Sequence, residues 1–381
     1  MRRGGRGFGF GPDGRFGREE SSLDSNHGGP LGEPYMNSPS EFRRDPISGD
    51  WVIIAPQRSL RPDEFHESGA GRTPDVPSWP APCPFCAGRE CATPPEVAAD
   101  REPGSAPDGP GWRVRIVPNK FPAVARDAAV VAAENGPFER RNGFGIHEVV
   151  IESPDHDADF SSFAADHAAS VLRLTRDRLR RLEAEEGIRY VHWFKNRGRE
   201  AGASLRHPHS QIVALPFIPG RVRLEIEAAA RFGAANRACL FCRTIGDEIR
   251  DGRRLVLRGD AFIVTAPFAA RFPFETHLHP IFHAPSFARL GDSEIAILAE
   301  TLQTLLRGLK GALDDPPYDI VLHQAPGPDP SRPNRPEREY HWHLEIFPVL
   351  TRVAGFEWGT GVFINPIPPE RAAAALREIL A

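Results

Sequence analysis

From Phe42 onward the chain is built of short apolar runs bounded by turn residues. WVII (51–54), WRVRIV (112–117), IHEVVIE (146–152), RYVHWF (189–194) and QIVAL (211–215) have the length and β-branched content of strands. Between the third and fourth, Ala168, Leu172, Leu179 and Leu182 recur at helical spacing and predict an amphipathic helix. A second helix is expected near 221–233. The pattern then starts again. LVL (255–257), AFIVTA (261–266), HLHPIF (277–282), DIVLHQ (319–324) and HWHLEIF (341–347) read as strands. A long helix precedes the last two, with Ile295, Leu298, Leu302, Leu305 and Leu309 on one face and Asp292 or Ser293 as its cap. Pro/Gly-rich stretches at 68–82, 101–111 and 325–337 read as loops.

The order of features in the second half repeats the first. Each half offers a CxxC, a strand ending in histidine (His156, His283), a long helix and an HxH strand. Duplication of one antiparallel α+β unit explains this most economically, with units at 41–218 and 219–381. Residues 1–40 hold ten glycines and almost no aliphatic side chains, so that segment is expected to be disordered. Met36 is one of two methionines and adjoins the first structured segment, which makes it a candidate start of translation beside Met1, a choice that mass spectrometry of the native N-terminus would make.

Composition narrows the partners. A net charge of −4 offers no global attraction for nucleic acid or an anionic membrane, so phosphate groups must be met by a local basic pocket. No apolar run approaches a membrane span and no signal-peptide core is present, giving the expectation of a cytoplasmic protein.

Four of the five cysteines form two CxxC pairs, a poor disulfide framework for a chain of this size and a good zinc pattern. Two thiolates and two imidazoles close a tetrahedral site. In the first half these are Cys83, Cys86, His156 and His207; in the second, Cys239, Cys242, His283 and His341. Buried thiols without metal are the alternative, and in the second half His277, His279, His323 and His343 compete as ligands. Cys91 is left as a lone thiol.

The first HxH reads HPHSQ. Residues two apart on a strand share a face, so His207 and His209 reach one pocket, and an anchored His207 gives His209 a fixed position. A histidine that attacks phosphorus must be neutral, with its other nitrogen committed to an acceptor. Gln211 shares that face, and its amide is placed to donate to a phosphoryl oxygen. The bland alternative is a satisfied polar pair. Against it stands NRGREAGASLRH just upstream, where two glycines, a small Ala–Ser pair and Asn196 let backbone approach a phosphate. Arg58, Arg61, Asn119 and Lys120 are further phosphate-binding candidates. Lys195, one of three lysines against 44 arginines, adjoins the motif and is expected to be solvated.

These stretches resemble the galactose-1-phosphate uridylyltransferase family of the histidine-triad superfamily. The resemblance rests on RRDPISGDWVIIAPQRSLRP, CPFC, VPNKFPAV, HEVVIESPDH, NRGREAGASLRHPHSQ, PFAARFPFETHLHP, YHWHLEIFP and GFEWGTGVFINP, in that order along nearly the whole chain after residue 41. It implies two histidine-triad-like units, a homodimer, zinc at the first Cys–His set, and a nucleotide sugar and a sugar 1-phosphate as substrates. It also implies a covalent nucleotidyl-histidine at His209, with Gln211 and Ser204 at the phosphoryl group. Arg58, Arg61, Asn119 and Asn196 match nucleotide and phosphate contacts, and Glu357 matches the glutamate of a hexose-recognition motif. The activity so implied is that of a UDP-glucose:α-D-galactose-1-phosphate uridylyltransferase of galactose metabolism.

Two departures matter. Ser210 replaces a usual glycine, and Phe363 stands where the galactose enzymes carry a glutamine for hexose recognition. The C-terminal text and the second CxxC are more similar to relatives that transfer adenylyl from ADP-glucose to phosphate, using a second zinc at a Cys2His2 set matching Cys239, Cys242, His283 and His341. That is the alternative activity, and a non-catalytic nucleotide- or zinc-binding protein is the third reading.

Overall fold

The computed structural model of the protein describes residues 38–60, 82–127, 138, 140–327 and 339–381. Arg61, Met36, nearly all of the Gly-rich tail and most of the 68–82 and 325–337 stretches lie outside the described residues.

Among the described residues, thirteen strands form two sheets. β1 (Glu41–Arg44), β2 (Trp51–Ile54) and β13 (Phe363–Asn365) make a small one. The large sheet contains β3 (Ala98–Arg101), β4 (Trp112–Pro118), β5 (Ile146–Ile151), β6 (Tyr190–Arg197), β7 (His209–Leu215), β8 (Leu255–Arg258), β9 (Phe262–Thr265), β10 (Thr276–Pro280), β11 (Tyr318–His323) and β12 (His343–Pro348). Its order is β3-β4-β5-β7-β6-β11-β12-β10-β9-β8, antiparallel throughout. Read outward from the β6–β11 seam, the two five-strand halves have the same order, which makes the repeat seen in the sequence visible as topology. The fold is α+β.

The helices are α1 (Ala165–Glu183), α2 (Gly220–Asn236), α3 (Leu240–Asp251), α4 (Asp292–Leu313), α5 (Gly355–Thr360) and α6 (Pro369–Leu380). α1 and α4 occupy equivalent places in the two halves and pack together, and Arg176 on α1 donates to Asp292 at 2.7 Å. Their apolar stripes (Leu172, Leu179, Leu182; Leu298, Leu302, Leu305) bury against one face of the sheet, where Val150, Ile212, Ile320, Leu344 and Ile346 complete the main core. Truncating one of these leucines to alanine costs about 2–5 kcal/mol.

The expected cap of α4 is corrected. Gly291 is the N-cap, Asp292 is already helical, and the Gly291 N–H is satisfied by Glu294 Oε2 at 2.7 Å. Two strand expectations also shift, because β5 ends at Ile151 and β10 at Pro280, leaving His156 and His283 in the loops beyond them. The second CxxC runs into a helix that the sequence reading missed: Cys239 is the N-cap of α3 and Cys242 lies in its first turn.

α1 and α4 cover one face of the large sheet; the opposite face carries the polar side chains, and in the second half Glu225 of α2 and Phe241 of α3 pack over it. Cross-strand register puts His209 and Gln211 on that face opposite Ile151 and Val149 of β5, with Phe194 opposite Gln211 on β6. The same face of the second half carries His343 and Glu345, opposite His323 and Val321 of β11.

Candidate active site and metal centres

His207 is fully buried just before β7. Its Nε2–H donates to the Ser153 carbonyl at 2.7 Å, so Nδ1 is the free nitrogen, 3.8 Å from Cys86 Sγ. His156 Nδ1 lies 3.4 Å from the same sulfur, and the ligand atoms of Cys83, Cys86, His156 and His207 all fall within 4.8 Å of one another. Burial pushes the His207 imidazole down to about 4, which keeps it neutral at pH 7, as a metal ligand must be. A backbone carbonyl that fixes the tautomer of a ligating histidine is the usual support of a zinc site, and the N2S2 donor set fits that metal.

The second set repeats this construction. Cys239, Cys242, His283 and His341 also cluster within 4.8 Å, Cys242 Sγ lies 3.4 Å from His283 Nδ1 and 3.5 Å from His341 Nδ1, and His341 Nε2–H donates to Pro280 O at 2.9 Å. The spare histidines do not displace His283 or His341 from this set.

His209 opens β7 and is 6 % exposed. Its Nδ1–H donates to the His207 carbonyl at 2.8 Å, which leaves the lone pair on Nε2. Burial lowers its pKa and holds the ring neutral. The ring of Phe85, inside the CPFC loop, stands 6.0 Å from His207 and 5.6 Å from His209, so one aromatic side chain touches both members of the pair. The second half has the same arrangement, with Phe241 of CLFC 6.3 Å from His341 and 5.5 Å from His343.

Gln211 is oriented by a residue that the sequence reading missed. His147 accepts the Ala123 N–H on Nδ1 at 3.1 Å, so its Nε2–H donates to Gln211 Oε1 at 2.8 Å. Asn119 adds a longer amide contact to that oxygen, 3.5 Å, while its own Oδ1 accepts the Phe121 N–H. With Oε1 committed, the Gln211 –NH2 remains as donor on the His209 face. The signal for His147 was present in HEVVIE, where it lies two residues before Val149, the register partner of Gln211, but only strand pairing reveals it.

Asn196 lies on β6 two residues beyond the partner of Gln211, on the same face. The loop after it turns through Gly198 and Gly202, both in the left-handed region, and a Cβ on Gly202 would approach Asn196 Nδ2 to 3.3 Å. Ser204 is exposed in that loop. Arg58 is exposed on a 3-10 turn at Pro56–Leu60, and Glu357 sits in the first turn of α5, where Oε2 accepts the Ala354 N–H at 3.1 Å. Ser204, Arg58 and Glu357 make no hydrogen bond or ion pair to His209 or Gln211 among the described residues. Lys195 corrects the sequence reading. It is 4 % exposed rather than solvated, and Nζ donates to Glu152 Oε2 at 2.7 Å.

A third polar group occupies the second half. Glu225 Oε1 accepts from His323 Nδ1 at 3.0 Å and Glu225 Oε2 from Tyr340 at 2.6 Å, while Arg271 donates to Glu345 at 2.8 Å. His343 Nε2 is 3.8 Å from Glu345 Oε1. Burial pushes the Glu345 carboxyl up, but Arg271 and then His323 outweigh it and hold it well below the carboxylate range. A carboxylate therefore stands where the first half presents an amide.

The family described as galactose-1-phosphate uridyl transferase, N-terminal domain, matches residues 34–219. An ADP-glucose phosphorylase of Arabidopsis thaliana is 34 % identical over 360 residues, 93 % of this chain and 97 % of that protein. A galactose-1-phosphate uridylyltransferase of Thermotoga maritima is 30 % identical over 346 residues, 89 % of this chain and 98 % of its own. Among solved structures, an Arabidopsis thaliana ADP-glucose phosphorylase with bound ADP-glucose superposes with a TM-score of 0.74 at 32 % identity, covering 89 % of this chain and 99 % of that one. No described helix is long and apolar enough to cross a membrane.

Proposed function

The chain belongs to the galactose-1-phosphate uridyl transferase family of nucleotidyltransferases, and on that premise we propose that it moves a nucleotidyl group from a nucleotide sugar to a phosphate acceptor through a covalent bond to His209. The observation that carries this reading is the imidazole itself, buried and neutral, with Nδ1–H held by the His207 carbonyl and Nε2 bare. In the first step the Nε2 lone pair attacks the α-phosphorus of the donor, and the bond from that phosphorus to the bridging oxygen breaks, releasing sugar 1-phosphate. The ring, now carrying positive charge, keeps its Nδ1–H···O bond, which strengthens as charge develops. Gln211, its oxygen anchored by His147, donates its amide to the phosphoryl oxygens. In the second step an acceptor phosphate oxygen attacks the same phosphorus, the P–N bond breaks, and Nε2 is restored. Asn119, Asn196, Ser204, Arg58 and Arg61 are assigned to phosphate and nucleotide binding.

Zinc bound by Cys83, Cys86, His156 and His207 would supply a rigid tetrahedral anchor for the strand that bears the nucleophile; a second zinc would be held by Cys239, Cys242, His283 and His341. Residues 41–218 are the catalytic unit in this account and 219–381 its companion.

For the donor we favour ADP-glucose, with inorganic phosphate as acceptor and ADP and glucose 1-phosphate as products. Three things support that choice over the uridylyl transfer first expected. The Arabidopsis relative is named for ADP-glucose and aligns over nearly its whole length. The second Cys2His2 set is assembled. Phe363, at the position of the hexose-binding glutamine, packs on Phe272 at 5.2 Å and on the Val52–Ile54–Ala269 cluster, and so serves the small sheet. The second reading, UDP-glucose with galactose 1-phosphate, keeps the support of the uridylyltransferase relatives. Radiolabelled ADP-glucose and UDP-glucose offered separately distinguish them: acid-labile label from ADP-glucose is expected, label from UDP-glucose alone reverses the donor, and label from neither removes the mechanism. Glu357 is assigned to the sugar site, and a homodimer joined through the exposed Phe42, Trp51, Phe356 and Trp358 is part of the same proposal; light scattering at the monomer mass would contradict the dimer.

A further inference from the structure

The backbone beside His209 has a gap. β5 pairs with β7 as far as His209, but β6 leaves β7 after Phe194–Gln211 and turns to β11, pairing with it through Arg197. Carbonyls alternate sides along a strand. The Pro208 carbonyl accepts the Glu152 N–H at 3.0 Å on the β5 side, so the His209 carbonyl faces β6, where the ladder has ended. Lys195 fills that position. Its side chain lies on the helix-covered face beneath the nucleophile, 4 % exposed, with Nζ 3.2 Å from His209 O and 2.7 Å from Glu152 Oε2. Glu152 is fully buried, its Oε1 has no partner among the described residues, and its own carbonyl is held by His167 Nε2 at 2.7 Å.

A buried ion pair is poor evidence for stability, because apolar side chains of similar volume often serve as well. One placed under the nucleophile, and replacing a missing ladder bond there, has a different use. We propose that Lys195, oriented by Glu152, is a positioning residue for the nucleotidyl-transfer step: its ammonium substitutes for the absent β6 donor and fixes the His209 backbone where the sheet divides. The Lys195–Glu152 strut keeps the end of the β6–β7 ladder from loosening the residue at its edge.

The inference rests on the nucleotidyl-histidine reading. Lys195→Met alone strands a buried carboxylate and can prevent folding, so the deciding variant is the double replacement Glu152→Leu/Lys195→Met, which removes both charges. It should fold, retain wild-type metal content and bind donor with unchanged affinity. Its rate of label transfer to His209 at saturating donor should fall about 10- to 100-fold, the scale of loss when a reacting group shifts by a fraction of an ångström to an ångström. If the folded double variant is labelled at the wild-type rate, or if only donor affinity changes, the pair is packing and the assignment is overturned. Absence of label on the wild-type chain would instead remove the nucleotidyl-histidine reading.

Discussion

The two HxH strands of this chain are built alike and equipped differently. Each follows a buried histidine whose Nε2–H is tied to a backbone carbonyl and whose Nδ1 faces two cysteines. Each places a second imidazole two residues on, with Nδ1 toward the carbonyl of the first, at 2.8 Å for His209 and 3.3 Å for His343. In both, the phenylalanine of the CxFC segment contacts the pair. The difference lies two residues further. Gln211, its oxygen held by His147, presents an amide, whereas Glu345 presents a carboxylate that Arg271 keeps ionised. One frame thus holds an imidazole beside an amide in one half and an imidazole beside a buried carboxylate in the other. On the proposed function, catalytic competence depends on the residue two positions after the second histidine, and the duplicated scaffold carries it without determining it.

The comparison breaks most sharply at the histidines. His209→Gly should abolish label transfer and reduce turnover by at least about 10⁴-fold, whereas His343→Ala should leave turnover within about tenfold of wild type, as steady-state assays of both variants will check. Converting one half toward the other comes next. Gln211→Glu places a second-half carboxylate beside the phosphoryl group and should lower kcat about 10²–10³-fold, with donor KM moved less; a loss confined to KM would show that Gln211 acts in ground-state binding alone. Metal ligands come third. Elemental analysis should find two zincs in the intact chain and one in either Cys86→Ser or Cys242→Ser; activity should fall about 10- to 100-fold or more in the first and less in the second, whose site anchors no nucleophile.

The smallest effect concerns the seam between halves. Glu183 at the end of α1 accepts from Gln324 at 3.0 Å, and burial pushes its carboxyl up to about 7. The folded chain therefore binds a proton there that the unfolded chain releases near its ordinary value of 4.5. Stability from this group is complete below pH 4.5 and is lost as pH rises through about 7. Glu183→Gln should remove that dependence, so that denaturant titrations show the variant gaining on wild type by on the order of 1–3 kcal/mol between pH 5 and pH 8.

Much of the frame was legible in the chain. Helical periodicity located α1 and α4, and the spacing of CxxC and HxH segments identified the eight residues that the fold gathers into two clusters. What escaped depends on long-range register. His147 meets Gln211 across 64 residues and Lys195 meets Glu152 across 43, and neither pairing has a local signature. Lys195 misled because an isolated lysine is normally solvated; its burial follows from a divergence of strands that no single strand's pattern records. The β2–β13 pairing joins chain segments about as far apart as the fold allows, and three-residue strands carry too little periodicity to announce themselves. Helix α3 shares its first turn with the CLFC metal pattern, and only the burial of Leu240, Phe241, Ile245 and Glu248 marks its inner face.

The most direct test of the account is peptide mapping of the chain after a brief incubation with radiolabelled ADP-glucose, quenched in alkali to preserve a phosphoramidate. The account predicts one adenylyl group per chain, acid-labile, on the peptide containing His209, with none on the peptide containing His343. Label on another residue, or a chain that turns over nucleotide sugar without ever becoming labelled, would contradict it.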